Sequence, residues 1–179
     1  MALLRFVLGR GPTPVHAIDG WDRGTPLDLD IAAVVLERGC DRQAVMGLAA
    51  RCRSADPAGH FAPAGLLSEL NGRPGRVVNA WLAWPAGQRT PAPAASGIIS
   101  GPLGLVALVT AGELPRPRFS IAWLLVDPEA RRQGIATALV AHAIDHAESL
   151  GATQVFAETL SSWPAAAGFW RSVGFQQGE

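Results

Sequence analysis

The chain has 179 residues, 49% of them hydrophobic and 17% charged, and its formal net charge is zero. Such a composition argues against disorder, and a chain of this size buries enough surface to fold without disulfides or metals as one domain over residues 1–179. The neutral balance and the lack of any basic run argue against nucleic acid or an anionic membrane as main partner. All 15 basic residues are arginine, so the protein has no lysine of its own to be acylated.

Leu3 to Leu8 reads as a short strand, followed by a Gly-, Pro- and Asp-rich loop from Gly9 to Asp30. The apolar start is too short for a signal peptide, and no apolar run reaches the roughly 18–20 residues of a membrane span. The cytoplasm is the expected location. Ile31 to Leu36 is a β-branched strand, and Asp41 is the expected N-cap of a helix carrying Ala44, Val45, Leu48 and Ala49. That helix ends near Ser54, ahead of Asp56-Pro57. A second short helix spans Pro63 to Leu70 and closes at Asn71-Gly72.

Arg76 to Trp84 is a strand stopped by Pro85, and a Pro-rich turn covers Gly87 to Ala95. Ile98 to Thr110 is a strand region whose glycines at 101 and 104 suggest a bulge. After a turn over Ala111 to Arg118, Phe119 to Val126 forms a strong strand. The clearest helix runs from Gly134 to Leu150 with Gly151 at its end. Thr153 to Leu160 is a strand, and Pro164 to Val173 is a helix ended by Gly174. No internal repeat occurs, and the order predicts a mixed α/β sheet.

Cys40 and Cys52 fit neither a zinc spacing nor a disulfide framework, so both read as buried small hydrophobes in a reducing compartment. His142 and His146 lie one turn apart on a helix face, but no third ligand is evident and no Glu follows His142, so no metal is expected. Most of the 6 tryptophans belong in the core; Trp81, Trp84 and Trp123 lie on strands and are the ones that would line a cleft. Glu158, in the middle of a strand, is either a base or a solvated strand residue.

Chemistry concentrates between Trp123 and Ala136. A strand ends at Val126, Asp127-Pro128 turns the chain, two arginines follow, and Gly134 opens a helix. A helix start offers unpaired N–H groups and the positive end of its dipole, so it holds anions. Gly134 lets a phosphate approach the backbone, Ala136 keeps the next turn uncrowded, and Arg131 and Arg132 add charge at the rim. The same pattern also fits an ordinary strand–loop–helix connection with solvated arginines.

The run Arg131-Arg132-Gln133-Gly134-Ile135-Ala136 resembles the acyl-CoA signature of the GNAT acyltransferases: Gln or Arg, two of any kind, Gly, any, then Gly or Ala. Its context strengthens the match. Val126-Asp127-Pro128-Glu129 precedes it at the family's spacing, Ala138-Leu139 follow in a long helix, and Phe169-Trp170-Arg171-Ser172-Val173-Gly174-Phe175 resembles the closing helix and its Gly-Phe. Over residues 31–118 only the order of elements agrees, and residues 1–30 form an extension without a counterpart.

The resemblance implies a mixed, mostly antiparallel sheet flanked by helices. It also implies transfer of an acetyl group from acetyl-CoA to an amine-bearing small molecule or peptide, by direct attack and without metal. Backbone groups of Leu124, Leu125 and Val126 would pair with the pantetheine arm. Those of Arg131, Arg132, Gln133, Gly134, Ile135 and Ala136, with Thr137 nearby, would hold the pyrophosphate. The first helix pair would flank the acceptor site, so His60 and Glu69 are either plain surface residues or bases acting through water, and Glu158 is the first choice of base. Two departures stand out. Trp163 replaces a frequent Asn, and Trp170 replaces the Tyr that usually protonates the leaving thiolate; the chain has no Tyr at all. An indole N–H donates a hydrogen bond but is not a useful acid. A non-catalytic acyl-CoA sensor and an interaction domain on the same fold are therefore the rival readings. Family members usually continue past the Gly-Phe into a final strand pair, for which Gln176 to Glu179 are too few. The N-terminal strand or a second copy, in a homodimer, would then cover that sheet edge.

Overall fold

The computed structural model describes residues 2–9, 28–56, 59, 61–72, 74–88, 101–112 and 117–178. His60 and most of the loops expected at Gly9 to Asp30 and Gly87 to Ala95 lie outside them. The elements are β1 (Leu3–Gly9), β2 (Leu29–Ala33), α1 (Gly39–Ser54), α2 (Pro63–Leu70), β3 (Arg76–Pro85), β4 (Gly104–Ala111), β5 (Arg118–Val126), α3 (Ile135–Ser149), β6 (Gln154–Leu160), α4 (Pro164–Ser172) and β7 (Gln176–Gln177). They build a 7-stranded sheet in the order β2-β3-β4-β5-β6-β1-β7. Every recorded strand pair is antiparallel except β5 with β6. This is the mixed, mostly antiparallel sheet flanked by helices that the sequence implied.

Several local expectations need correction. Arg38, not Asp41, is the N-cap of α1. Asp41 sits in the first turn, where its carboxylate suits the helix dipole, and it accepts the Val35 N–H at 2.9 Å. The strand placed at Ile31 to Leu36 runs Leu29–Ala33 instead, because that carboxylate draws Val35 into the turn before α1. Of the strand region expected at Ile98 to Thr110, residues 98–100 lie outside the described residues, 101–103 are not strand, and the strand runs Gly104–Ala111. Cys52 is buried, but Cys40 is exposed. The bulge lies neither at Gly101 nor at Gly104. The β4–β5 register passes from Ala107↔Trp123 to Leu108↔Ile121, which leaves Ala122 of β5 as the extra residue.

The two faces of the sheet carry separate cores. Phe119, Ile121, Val106, Leu108, Ala157 and Phe6 pack with Ile135, Leu139, Val140 and Ile144 of α3 and with Ala167 and Trp170 of α4. Leu82, Trp84, Leu105 and Ala107 pack on the opposite face with Val45, Leu48 and Cys52 of α1 and Leu66 of α2. β1 pairs along its whole length with β6, from Leu3↔Leu160 to Gly9↔Gln154, and its other edge takes the two residues of β7. The N-terminal strand thus covers the β6 edge.

His142 and His146 pack edge-on against Trp81, with ring centroids 5.1 and 4.9 Å away, so the pair serves the α3–β3 contact. Among the described residues, no group of three or more His, Cys, Asp or Glu side chains is placed to hold a metal. Nor is any described helix long and apolar enough to cross a membrane.

A Cβ added at Gly104 would lie 2.8 Å from Leu139 Cδ1, 2.9 Å from the Leu125 carbonyl oxygen and 3.0 Å from Ile135 Cγ2. The missing side chain is what lets α3 lie close on β4. Gly104→Ala should cost about 1–3 kcal/mol, the usual range for overpacking, read as a lower urea midpoint at unchanged slope. Burial pushes the His142 imidazole below its ordinary value, Asp145 pulls the other way, and His146 adds a smaller push down. The unfolded chain therefore holds this proton more tightly than the folded one. The contribution is complete above the unfolded value, about pH 6.5, and is lost as pH falls through the lower folded value. In urea titrations, His142→Gln should flatten the decline in stability below pH 6.5 relative to wild type.

Candidate active site

β5 and β6 run parallel for only three paired positions, Phe119↔Val155, Ser120↔Phe156 and Ile121↔Ala157. Beyond them the strands part, while β5 stays paired to β4 as far as Val126. The Ala122 bulge sits where the parting begins, and a bulge bends its strand. One edge of β5 from Ala122 to Val126 therefore turns peptide groups outside any strand ladder toward a cleft of about 1140 Å³, the Val126 carbonyl among them accepting the Cys52 thiol. Glu158 is the first residue of β6 past the split, and it lines the cleft with Thr159 and Leu160.

The bulge also inverts the phase of β5. Phe119 and Ile121 belong to the α3 side, yet beyond Ala122 it is Leu124 and Val126 that lie on that side. Trp123 and Leu125 turn to the α1–α2 side. Trp123 meets Phe61 edge to face at 5.8 Å and lies against the bare backbone of Gly65. Strict alternation would have sent Trp123 to the other face.

The floor of the cleft on the α3 side is the loop before that helix. Gly134 is the N-cap of α3 at φ 81°, and no side chain caps the helix. The first-turn N–H groups therefore have no intrahelical acceptor. Arg132 also adopts a positive φ, 65°, a conformation that costs a non-glycine residue about 1 kcal/mol or more. The loop is fixed from below by Asp127, whose residue is 1% exposed. Its carboxylate accepts the Arg51 Nε–H of α1 through Oδ2 and the Glu129 N–H through Oδ1 at 3.1 Å. Its own N–H donates to Leu103 at 2.8 Å, and Arg51 also donates to the Pro102 carbonyl at 2.9 Å. Through its carboxylate and its own N–H, Asp127 thus ties the end of β5, the approach to β4 and α1 to the start of the loop.

Of the residues singled out for acyl-CoA, Leu124, Leu125, Val126, Arg131, Arg132, Gly134, Ile135, Ala136 and Thr137 line this one cleft. Gln133 does not line it and is exposed. Glu158 lines it and forms an ion pair with Arg5 of β1 at 3.0 Å. Trp170 touches the cleft but is 5% exposed and held between Phe169 and Phe175, at 5.2 and 5.0 Å. Trp163, the N-cap of α4, lines the cleft too. Glu69 does not reach it and instead accepts from Arg76 at 2.9 Å. Trp81 and Trp84 are core residues, so among the strand tryptophans only Trp123 lines the cleft.

Cys52, Asp56 and Phe61 line the cleft without having been singled out for it. Burial raises the Cys52 thiol above its ordinary value, against a smaller opposing effect of Arg131. It stays protonated and donates to the Val126 carbonyl at 3.5 Å, so it fills space rather than attacking substrate. Asp56 accepts the Phe61 N–H at 2.7 Å, which fixes the aromatic ring at the cleft. The sequence signal for that contact is an aromatic residue between α1 and α2.

The family model for the acetyltransferase (GNAT) family matches residues 70–175. No curated protein matches the sequence significantly. Solved structures share the fold. A tandem GNAT protein from the clavulanic acid biosynthesis pathway aligns with 98% of this chain and 50% of its own, at 14% identity and a TM-score of 0.66. An aminoglycoside acetyltransferase from an uncultured soil metagenomic sample aligns over 82% of this chain and 88% of its own, at 16% identity and a TM-score of 0.59. An aminoglycoside N-acetyltransferase solved with CoA aligns over 88% and 93%, at 14% identity and a TM-score of 0.55.

Proposed function

The chain belongs to the GNAT acetyltransferase family, and on that premise we propose that it moves an acetyl group from acetyl-CoA to an amine by direct attack. The observation that carries this reading is the split between β5 and β6 beside the uncapped start of α3. An extended polar arm needs unpaired peptide groups along its length, and a pyrophosphate needs converging N–H donors. The cleft offers the first at Leu124 to Val126 and the second at Gly134 to Thr137. Arg131 and Arg132, both exposed at the rim, add charge for the phosphates.

In the proposed reaction the amine lone pair attacks the thioester carbon. A C–N bond forms, the C–S bond breaks, and the sulfur leaves as thiolate. Peptide N–H groups of the unpaired β5 edge stabilise the oxyanion that develops on the way. Glu158 takes the proton that the amine nitrogen loses, directly or through one water, since it stands at the mouth of the split. Trp170 supplies no strong acid for the thiolate, because it is packed among aromatic rings and carries only an indole N–H. The thiolate tolerates this: a thiol near pKa 8.5 is a fair leaving group at neutral pH, roughly as in model peptides. The burial of Trp170 is also what favours the second reading, a non-catalytic acetyl-CoA sensor.

Turnover decides between the two. Free thiol should appear from acetyl-CoA when an amine is supplied, at a rate that rises with pH as the free amine becomes available. Glu158→Gln should lower that rate by about 10²-fold or more and change the profile. Coincident profiles would remove Glu158 as the base. Tight acetyl-CoA binding with no thiol release from any amine would make the protein a sensor.

A further inference from the structure

The cleft passes through the sheet. Its α3 side holds the loop Arg131 to Gly134 and the uncapped helix start, so a donor seated there leaves the α1–α2 side for the second substrate. The surroundings on that side are set by the register. Leu3 pairs with Leu160 and Arg5 with Glu158, while Phe6 and Ala157 alternate to the α3 core. Trp123 and Phe61 stand on the same α1–α2 side. The second substrate therefore meets an indole, a benzyl ring, an exposed leucine and one carboxylate at the mouth of the split.

Charge decides what fits. Among the described residues, the charged side chains lining the cleft are Asp56, Glu158, Arg131 and Arg132. Both carboxylates already face a guanidinium: Asp56 lies 3.9 Å from Arg53 and also holds the Phe61 N–H, and Glu158 holds Arg5. A polycationic amine would bring further ammonium groups into the cleft with no carboxylate to receive them, and an unpaired charge leaving water is costly. A flat apolar body gains instead. The Trp123 ring is braced from behind by Phe61 and by the bare Gly65 backbone, so little entropy is lost when a second ring stacks on it.

Resting on the proposed acetyl transfer, we infer that the acceptor is a primary monoamine with an aromatic or flat apolar body, selected by Trp123. The body lies against Trp123 with Leu3 at its rim, and the amine points past the end of the β5–β6 pairing toward Glu158. Trp123 acts on specificity rather than on the chemical step.

The test compares 2-phenylethylamine with spermidine as acceptors, by thiol release from acetyl-CoA at one pH. The aromatic monoamine should show the higher kcat/KM by about tenfold or more, the scale of one ring contact plus one avoided unpaired charge. Trp123→Leu keeps an apolar side chain in the core; it should raise KM for 2-phenylethylamine by about tenfold with kcat nearly unchanged, and so narrow the preference over spermidine. Leu3→Glu changes an exposed residue, 56% accessible, and should improve spermidine selectively by adding a carboxylate to this side. Equal or better use of spermidine by wild type, or a preference unaltered in Trp123→Leu, would overturn the inference. If neither amine, nor a broad amine panel, releases thiol, the proposed transfer fails and calorimetry on the CoA-loaded protein decides the rest. Binding of 2-phenylethylamine that weakens in Trp123→Leu would uphold the aromatic site, and no binding, or binding indifferent to Trp123, would overturn it.

Discussion

The single extra residue at Ala122 is the constraint on which the site depends. A strand in register with both neighbours would have no free edge. With Ala122 unmatched against β4, β5 keeps its pairing on one side as far as Val126 and loses it on the other after Ile121. The lost ladder bonds leave donors and acceptors that must be satisfied by water or by a ligand, since a buried peptide group without a partner is costly. The same residue reverses which side chains face which core. It puts Trp123 beside Phe61 and leaves Leu124 and Val126 on the α3 side. One insertion thus creates both the slot and the wall of the cleft.

A slot alone would not orient a charged donor. The second requirement is a loop that presents its N–H groups without first having to be ordered. Asp127 meets it by satisfying partners from α1, from its own turn and from the approach to β4. Buried and ion-paired, it holds the chain so that Arg132 and Gly134 keep left-handed conformations ahead of α3. Strain of this sort persists only where the surroundings over-determine it, and Gly101 and Gly104 supply the room. A Cβ at Gly101 would come within 3.3 Å of Arg51 Nη2, so a side chain there would push the guanidinium that grips Asp127 by a few tenths of an ångström.

Much of this was legible in the sequence. The α3 loop announced itself through Gly134, the paired arginines and a long apolar period, and the structure starts the helix one residue later, at Ile135. Local signals of this kind need only neighbouring residues. The misses were long-range or set by small offsets. Asp41 has the chemistry of a cap, but the helix begins at Gly39, so its carboxylate serves Val35 instead. Glycines at 101 and 104 looked like bulge residues and are instead close-contact positions under Arg51 and α3. The true bulge falls on an alanine, which carries no signal, and so the side that Trp123 faces could not be read from alternation. Leu3 to Leu8 read as a strand, but its place beside residues 154–160 is a pairing that nothing local encodes.

The central claim is that acetyl-CoA lies in the split with its phosphates on the start of α3. Amide hydrogen exchange with and without acetyl-CoA tests it residue by residue. The account predicts slowed exchange at Ala122 to Val126 and at Ile135 to Thr137, with the antiparallel β2–β3 pair unchanged. It also predicts that Ala136→Glu, whose carboxylate suits the helix dipole but opposes a phosphate, abolishes the protection without lowering stability. Protection confined to other segments, or an undiminished effect in Ala136→Glu, would contradict it.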